Sequence, residues 1–96
     1  MDEIEVLVSR LALAQLAELS ATVGRAIVQG IMRLADFPES APHVRQRDYE
    51  SYRQLIVRDY RVIYRYSEAE EQVRVYCVLH LKRRLPPAEF LIYQLF

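Results

Sequence analysis

Residues 51–80, SYRQLIVRDYRVIYRYSEAEEQVRVYCVLH, decide the fold. Three runs in this stretch, Ser51 to Val57, Tyr60 to Tyr66 and Gln72 to Leu79, are rich in β-branched and aromatic side chains and alternate at the two-residue period of a strand. The first two are joined near Arg58-Asp59 and the second pair by a turn over Ser67–Glu71, both suited to antiparallel hairpins. In the middle run the alternation sets Arg61, Ile63 and Arg65 on one face and Val62, Tyr64 and Tyr66 on the other. In the last, Val73, Val75, Cys77 and Leu79 oppose Arg74, Tyr76, Val78 and His80.

Upstream the period changes. Residues 4–8, Ile-Glu-Val-Leu-Val, have the composition of a short strand. Ser9 is placed to cap a helix from Arg10 to Leu19, with Leu13, Leu16 and Ala17 at helical spacing. After a break at Ser20-Ala21-Thr22, with Thr22 offered as a second cap, Val23, Ile27, Ile31 and Leu34 form the stripe of a longer helix running to about Asp36. Pro38 ends it, and a polar connection over residues 38–50 follows. Downstream, Lys82-Arg83-Arg84 closes the last strand, and Pro86-Pro87 can start a terminal helical turn carrying Phe90, Leu91, Tyr93, Leu95 and Phe96. The order β-α-α-β-β-β predicts one α+β domain over residues 1–96, with a short extension from about residue 86. Its two layers are a helical hairpin and a twisted, mainly antiparallel sheet. The other face of that sheet is expected to be open.

At 96 residues the chain has room for one domain. Its 13 Lys+Arg balance 13 Asp+Glu, but the balance is uneven along the chain. Residues 1–42 carry Asp2, Glu3, Glu5, Glu18, Asp36 and Glu39 against three arginines, and the hairpin tip adds Glu68, Glu70 and Glu71; residues 43–65 and 72–96 are net basic. Only Lys82 among the basic residues is not arginine, and arginine presents a planar fork to carboxylate or phosphate. The single cysteine, Cys77, alternates with apolar neighbours and reads as core; it forms no internal disulfide and no metal cluster. No apolar run approaches the roughly 20 residues of a membrane span, and the acidic start is unlike a secretion signal, so a cytoplasmic protein without membrane contact is expected. Glycine loops for phosphate, paired catalytic carboxylates and basic recognition helices are all missing from the sequence.

The arginine- and tyrosine-bearing segment from Tyr52 to Tyr66 admits three interpretations: a solvated hairpin whose arginines pair with Asp59 and Glu68, a phosphate-binding face with tyrosines for stacking, or a face for an acidic protein. His80 beside Lys82, Arg83 and Arg84 either packs as an ordinary half-buried histidine or supplies acid–base chemistry next to charges suited to a phosphate. Tyr93 is a candidate acid if the terminal segment folds over the sheet, and otherwise anchors the tail.

The element order and local sequence resemble the RelE/ParE superfamily of toxins from bacterial type II toxin–antitoxin systems. The matching pieces are Ala12 to Leu19, Ile27 to Pro38, Tyr52-Arg53 through Asp59-Tyr60-Arg61-Val62-Ile63-Tyr64, and Val75 through His80-Leu81-Lys82-Arg83. The resemblance implies a cognate antitoxin as partner, and neither cofactor nor metal. Its leading implication is ribosome-dependent, metal-independent cleavage of messenger RNA; its alternative is poisoning of DNA gyrase without nuclease activity. Carried over by residue, it places Arg61, His80, Arg83 and Tyr93 as catalytic candidates and Arg53 as an RNA contact; the arginine- and tyrosine-bearing strand and the basic turn add Tyr64, Arg65, Lys82 and Arg84 as contacts to RNA or another target.

Overall fold

The structure, a computed structural model, describes residues 3–96; Met1 and Asp2, the latter counted above among the N-terminal acidic residues, lie outside them. Seven elements follow in order: β1 (Glu5–Val8), α1 (Arg10–Ala17), α2 (Ala21–Arg33), β2 (Arg53–Val57), β3 (Tyr60–Ser67), β4 (Gln72–His80) and α3 (Ala88–Ile92). The sheet order is β1-β4-β3-β2. The β2–β3 and β3–β4 pairs are antiparallel hairpins, while β1 runs parallel to β4. That parallel pair is why a helical hairpin must intervene: a two-residue turn cannot return a chain to a parallel neighbour.

Ser9 links the first strand to the first helix. Its side chain accepts from the Ala12 N–H at 3.0 Å as the N-cap of α1 and donates to the Tyr76 carbonyl at 2.7 Å, while its own N–H reaches the Val75 carbonyl. Pairing of β1 with β4 stops at Val8↔Val75, so these bonds satisfy the backbone of β4 where its strand partner ends. Three residues further on, Gln15 Oε1 of α1 accepts from the Val78 N–H at 2.7 Å. The second cap is Ser20, not Thr22: its hydroxyl accepts from Val23 N–H at 3.3 Å, and with α1 ending at Ala17 rather than Leu19 the break moves back to residues 18–20. α2 ends at Arg33, before the predicted Asp36, and continues as a turn that still buries Leu34.

The helical layer and one sheet face enclose a core of Ala12, Ile27, Ile31, Leu34, Val62, Tyr64, Val73, Val75 and Val78. Gly30 brings α2 close to β2, since a Cβ there would lie 3.0 Å from Val57 Cγ2. Membership of Val78 with Val73 and Val75 departs from the simple alternation. The β3–β4 register slips between Ile63/Tyr64, so that Ile63 pairs with Cys77 and Tyr64 with Val75, leaving Tyr76 as the extra residue of a β-bulge. Beyond the bulge the facing is reversed: Val78 and His80 share the helical face with Val73 and Val75, while Arg74, Tyr76, Cys77 and Leu79 take the other. The predicted grouping of Cys77 and Leu79 with Val73 and Val75 is corrected by that one inserted residue.

The second face is not open. The connection after Pro38 and the C-terminal segment fold over it, forming a second core of Val44, Tyr49, Tyr52, Ile63, Tyr76, Cys77 and Leu91. Four rings run across it in sequence: Tyr49–Tyr52 and Tyr52–Tyr76 with centroids 5.2 Å apart, then Tyr76–Phe96 at 5.1 Å. Tyr49 O–H donates to the Pro86 carbonyl and Arg10 N–H to that of Leu95, which fastens both ends of the terminal segment. Helix α3 is short but fixed by Leu91, which is wholly buried. No helix is long and apolar enough to cross a membrane among the described residues.

Replacing Ser9 by Ala removes the α1 cap and orphans the buried Tyr76 carbonyl. Each effect costs about 1 kcal/mol or more, so a combined loss of roughly 2–3 kcal/mol is expected in denaturant unfolding. Ser20→Ala, whose capping bond is exposed and reaches no strand, should cost about 1 kcal/mol at most. Equal losses from the two changes would show that the Ser9 link to β4 adds nothing to an ordinary cap.

Candidate functional site

The chemistry-bearing residues collect where β3 begins and β4 ends. Tyr60 stands opposite His80, and Arg61 opposite Leu79. Adjacent strand residues point to opposite faces, so Tyr60 and His80 lie on the helical side and Arg61 on the other. The His80 ring meets Tyr60 edge-on, with centroids 5.2 Å apart. Its Nδ1 accepts from the Lys82 N–H at 3.1 Å, which in the neutral ring leaves the proton on Nε2. With Gln15 and Glu18 of α1, Tyr60 and Arg83, it lines a cleft of about 250 Å³. The bond from Val78 N–H to Gln15 is what sets α1 against this strand end.

Arg83 connects the two faces. Its N–H donates to the His80 carbonyl at 2.9 Å, closing a tight turn, and the residue lines the cleft. From the opposite face Arg61 Nη2 donates to the Arg83 carbonyl, and Nη1 to Gln54 Oε1 at 3.4 Å. Arg61 Nε is buried without a partner. Only neutral acceptors hold this guanidinium. Among the described residues the single ion pair is Arg53–Glu39, at 3.4 Å. Lys82, Arg83 and Arg84 are exposed and form no ion pair within that set, so the strand end gathers three basic groups, with Glu18 the carboxylate that lines the same cleft.

The remaining candidates are placed elsewhere. Tyr64 is fully buried beneath the helices and donates to the Pro38 carbonyl at 2.9 Å, so it is a core residue and no target contact. Arg53, paired in register with Tyr64, shares the helical face; its guanidinium bonds the Ala41 carbonyl at 2.7 Å and Glu39, and it fastens the connection rather than a ligand. Both corrections follow from strand parity, since neither residue alternates with Arg61. Arg65 is on the Arg61 face but four residues along the strand, with the second core between them. Tyr93 is 80% exposed and makes neither a hydrogen bond nor a ring contact with the candidates: the terminal segment folds over the sheet, but it is Leu91 that turns inward. Gln54, Gln15 and Glu18 were not singled out in the sequence. Gln54 is recoverable from β2–β3 alternation, whereas the two α1 residues require the packing of the helix on β4.

Cys77 is buried, and desolvation pushes its thiol up to about 12 from 9.0. It is a core residue without nucleophilic character. No group of three or more His, Cys, Asp or Glu able to hold a metal ion occurs among the described residues.

A family model described as the ParE toxin of the type II toxin–antitoxin system parDE matches residues 6–85. The chain belongs to this family, within the RelE/ParE superfamily of toxins. Among solved structures, it is similar to the toxin in the RelBE2 toxin–antitoxin complex of Mycobacterium tuberculosis, with TM-score 0.73 and 20% identity over 82% of this chain and 99% of that one. It is likewise similar to the isolated RelE toxin of E. coli, with TM-score 0.68 and 18% identity over 93% and 96% of the two chains. For the RelE–RelB complex of Pyrococcus horikoshii the values are 0.63 and 18%, over 83% and 97%. At these identities the likeness is one of fold. No curated protein matches the sequence.

The weakened acidity of two buried groups has a consequence for stability. Burial pushes the Tyr49 hydroxyl, like the Cys77 thiol, up to about 12. Below about pH 8 both groups are protonated in the folded and unfolded chains alike, and they add no pH dependence. From about pH 8 to about 12 the unfolded chain ionises first, the thiol before the phenol, so stability falls with rising pH. Denaturant midpoints measured from pH 7 to 11 should therefore be level to about 8 and then decline. Cys77 should react with a thiol reagent no faster than the protein unfolds; a fast native reaction would contradict its placement.

Proposed function

We propose that this toxin arrests growth by ribosome-dependent cleavage of messenger RNA and is neutralised by a cognate antitoxin. The observation that carries the reading is the cleft shared by His80 and Arg83 at the basic end of the sheet, where Lys82, Arg83 and Arg84 form no ion pair among the described residues. Such a corner suits a scissile phosphate: the Arg83 guanidinium meets the charge that grows on phosphorus, and His80 Nε2 lies on the same wall. On the ribosome, the attacking ribose 2′-oxygen would be aligned by the decoding site, so that the protein supplies charge and proton transfer rather than all the positioning. To take the 2′-hydroxyl proton at Nε2, His80 would adopt its Nδ1–H tautomer, giving up the bond from the Lys82 N–H, and the leaving 5′-oxygen would draw its proton from water. Products would carry a 2′,3′-cyclic phosphate and a 5′-hydroxyl.

Arg61 enters this scheme from the far side of the sheet. By holding the Arg83 carbonyl it fixes the turn that presents the Arg83 side chain. Lys82 and Arg84, exposed beside it, would hold flanking phosphates.

The second reading, a gyrase poison without nuclease activity, is favoured by the distribution of the same groups. Arg61 and His80 lie on opposite faces, and Tyr93 joins neither. A binding toxin needs no convergence of acid, base and charge. Purified toxin added to a translating extract, with message ends mapped by primer extension, separates the two. Ribosome-dependent cuts that fall about 100-fold in Arg83→Ala and in His80→Gln are expected. The positioning variant Arg61→Ala is expected to fall less, by roughly tenfold. Intact message together with trapped gyrase–DNA breaks would establish the alternative.

The antitoxin reading rests on the family and on an apolar groove of about 440 Å³ between the outer edge of β1 and the helical hairpin, lined by Val6, Val8, Leu13, Leu16, Val28 and Met32. Leu13 and Met32 are 55% and 66% exposed there. An amphipathic segment folding onto this groove would bury them. Leu13→Ser with Met32→Ser should weaken antitoxin binding at least tenfold by calorimetry and leave the toxin's melting temperature nearly unchanged. Unchanged affinity would move the antitoxin to another surface.

A further inference from the structure

At the opposite end of the second face from Arg61, Arg65 of β3 and Arg74 of β4 are register partners. Like charges directly across an antiparallel pair destabilise a hairpin, yet neither arginine has a carboxylate within 4.0 Å among the described residues. Each is instead laid on an aromatic ring: Arg65 Cζ is 5.2 Å from the Tyr52 centroid and Arg74 Cζ 5.6 Å from that of Phe96. Arg74 Nε donates to Gln72 Oε1 at 3.0 Å, which fixes its plane further. The rings and the glutamine orient the two forks and leave Nη donors of both unspent. Together with Ser67, Gln72 and Tyr76 they line a separate polar concavity of about 250 Å³.

We infer that this pair is a clamp for a single carboxylate, supplied by an acidic side chain of the antitoxin; the inference rests on the antitoxin reading above. Two oriented guanidinium groups facing one concavity match the planar, two-oxygen geometry of a carboxylate, and bringing one in converts a repulsive pair into an attractive triad. Two observations select a peptide carboxylate over a nucleic-acid backbone. The turn beside the site carries Glu68, Glu70 and Glu71, with Glu70 on the rim of the concavity, and a strand of successive phosphates would have to pass that negative edge. The C-terminal segment also stands between this site and the Arg61–Arg83 end, with Phe96 against Tyr76, so a polynucleotide leaving the cleft has no direct path across the face. A single carboxylate has one rim charge, Glu70, to approach rather than a run of phosphates to lead past the whole acidic turn, and it needs no path across the face.

The test uses the full-length toxin and the antitoxin co-expressed with it from the adjacent open reading frame. Calorimetry on wild type, Arg65→Gln, Arg74→Gln and the double variant should show each single change weakening the complex about tenfold, and the double change less than the product of the two, because both grip one group. The melting temperature of the free toxin should hold or rise in the single variants, since the repulsion is relieved; a purely structural role predicts a fall. Wild-type affinity in the double variant overturns the clamp while leaving the antitoxin reading intact. Failure of the wild-type chain to bind at all overturns both. Unchanged antitoxin affinity accompanied by lost binding of a single-stranded RNA 12-mer would assign the pair to phosphate instead, against the inference.

Discussion

The backbone of β4 beyond Val75 is the constraint around which the rest is arranged. There the neighbouring strand ends and the exposed edge of a central strand would carry unpaired donors and acceptors, a cost no small domain can carry in its interior. Ser9 and Gln15 satisfy it. Because Ser9 both follows directly on β1 and caps α1, satisfying the strand edge also fixes where the first helix starts and how it lies. With α1 so tied, the hairpin partner α2 falls over β2 and β3, where Gly30 admits Val57 and Leu55. A single buried hydroxyl thus joins sheet, helix and strand edge.

The bulge at Tyr76 is the second determinant, and it acts on function as well as on packing. One added residue reverses the facing of the rest of β4, moving Cys77 and Leu79 into the second core and turning His80 toward α1. Without it, His80 would share the Arg61 face. With it, His80 has Tyr60, Gln15, Glu18 and Arg83 for neighbours, and Arg61 acts on the same turn only through the Arg83 carbonyl. Bulges commonly re-aim side chains beside functional sites.

The covering of the second face divides the basic residues. Four tyrosine and phenylalanine rings and Leu91 form a ridge across the sheet, with Arg61 and Arg83 at one end and Arg65 and Arg74 at the other. A neutral chain can therefore present two separate anion-seeking surfaces, while nine of its thirteen acidic residues belong to the hairpin tip or to residues 1–42.

Period, composition and punctuation in the sequence were enough to determine the elements, their order, the hairpins, the Ser9 cap and the side of the sheet on which Arg61 lies, because these depend on residues close in the chain. The family, too, was legible in the spacing from Tyr52-Arg53 to His80 and Lys82-Arg83. Tertiary structure alone decided the register slip at Tyr76, since a bulge is a property of two paired strands and strict alternation within one strand cannot reveal it. It decided the fate of Tyr64 and Arg53, whose chemistry suited a target but whose parity put them under the helices. It also decided the closing of the second face: Leu91, Tyr49 and Tyr76 are far apart in sequence, and only the packing of the terminal segment against the connection shows that one apolar residue turns inward while Tyr93, two positions on, is left in water.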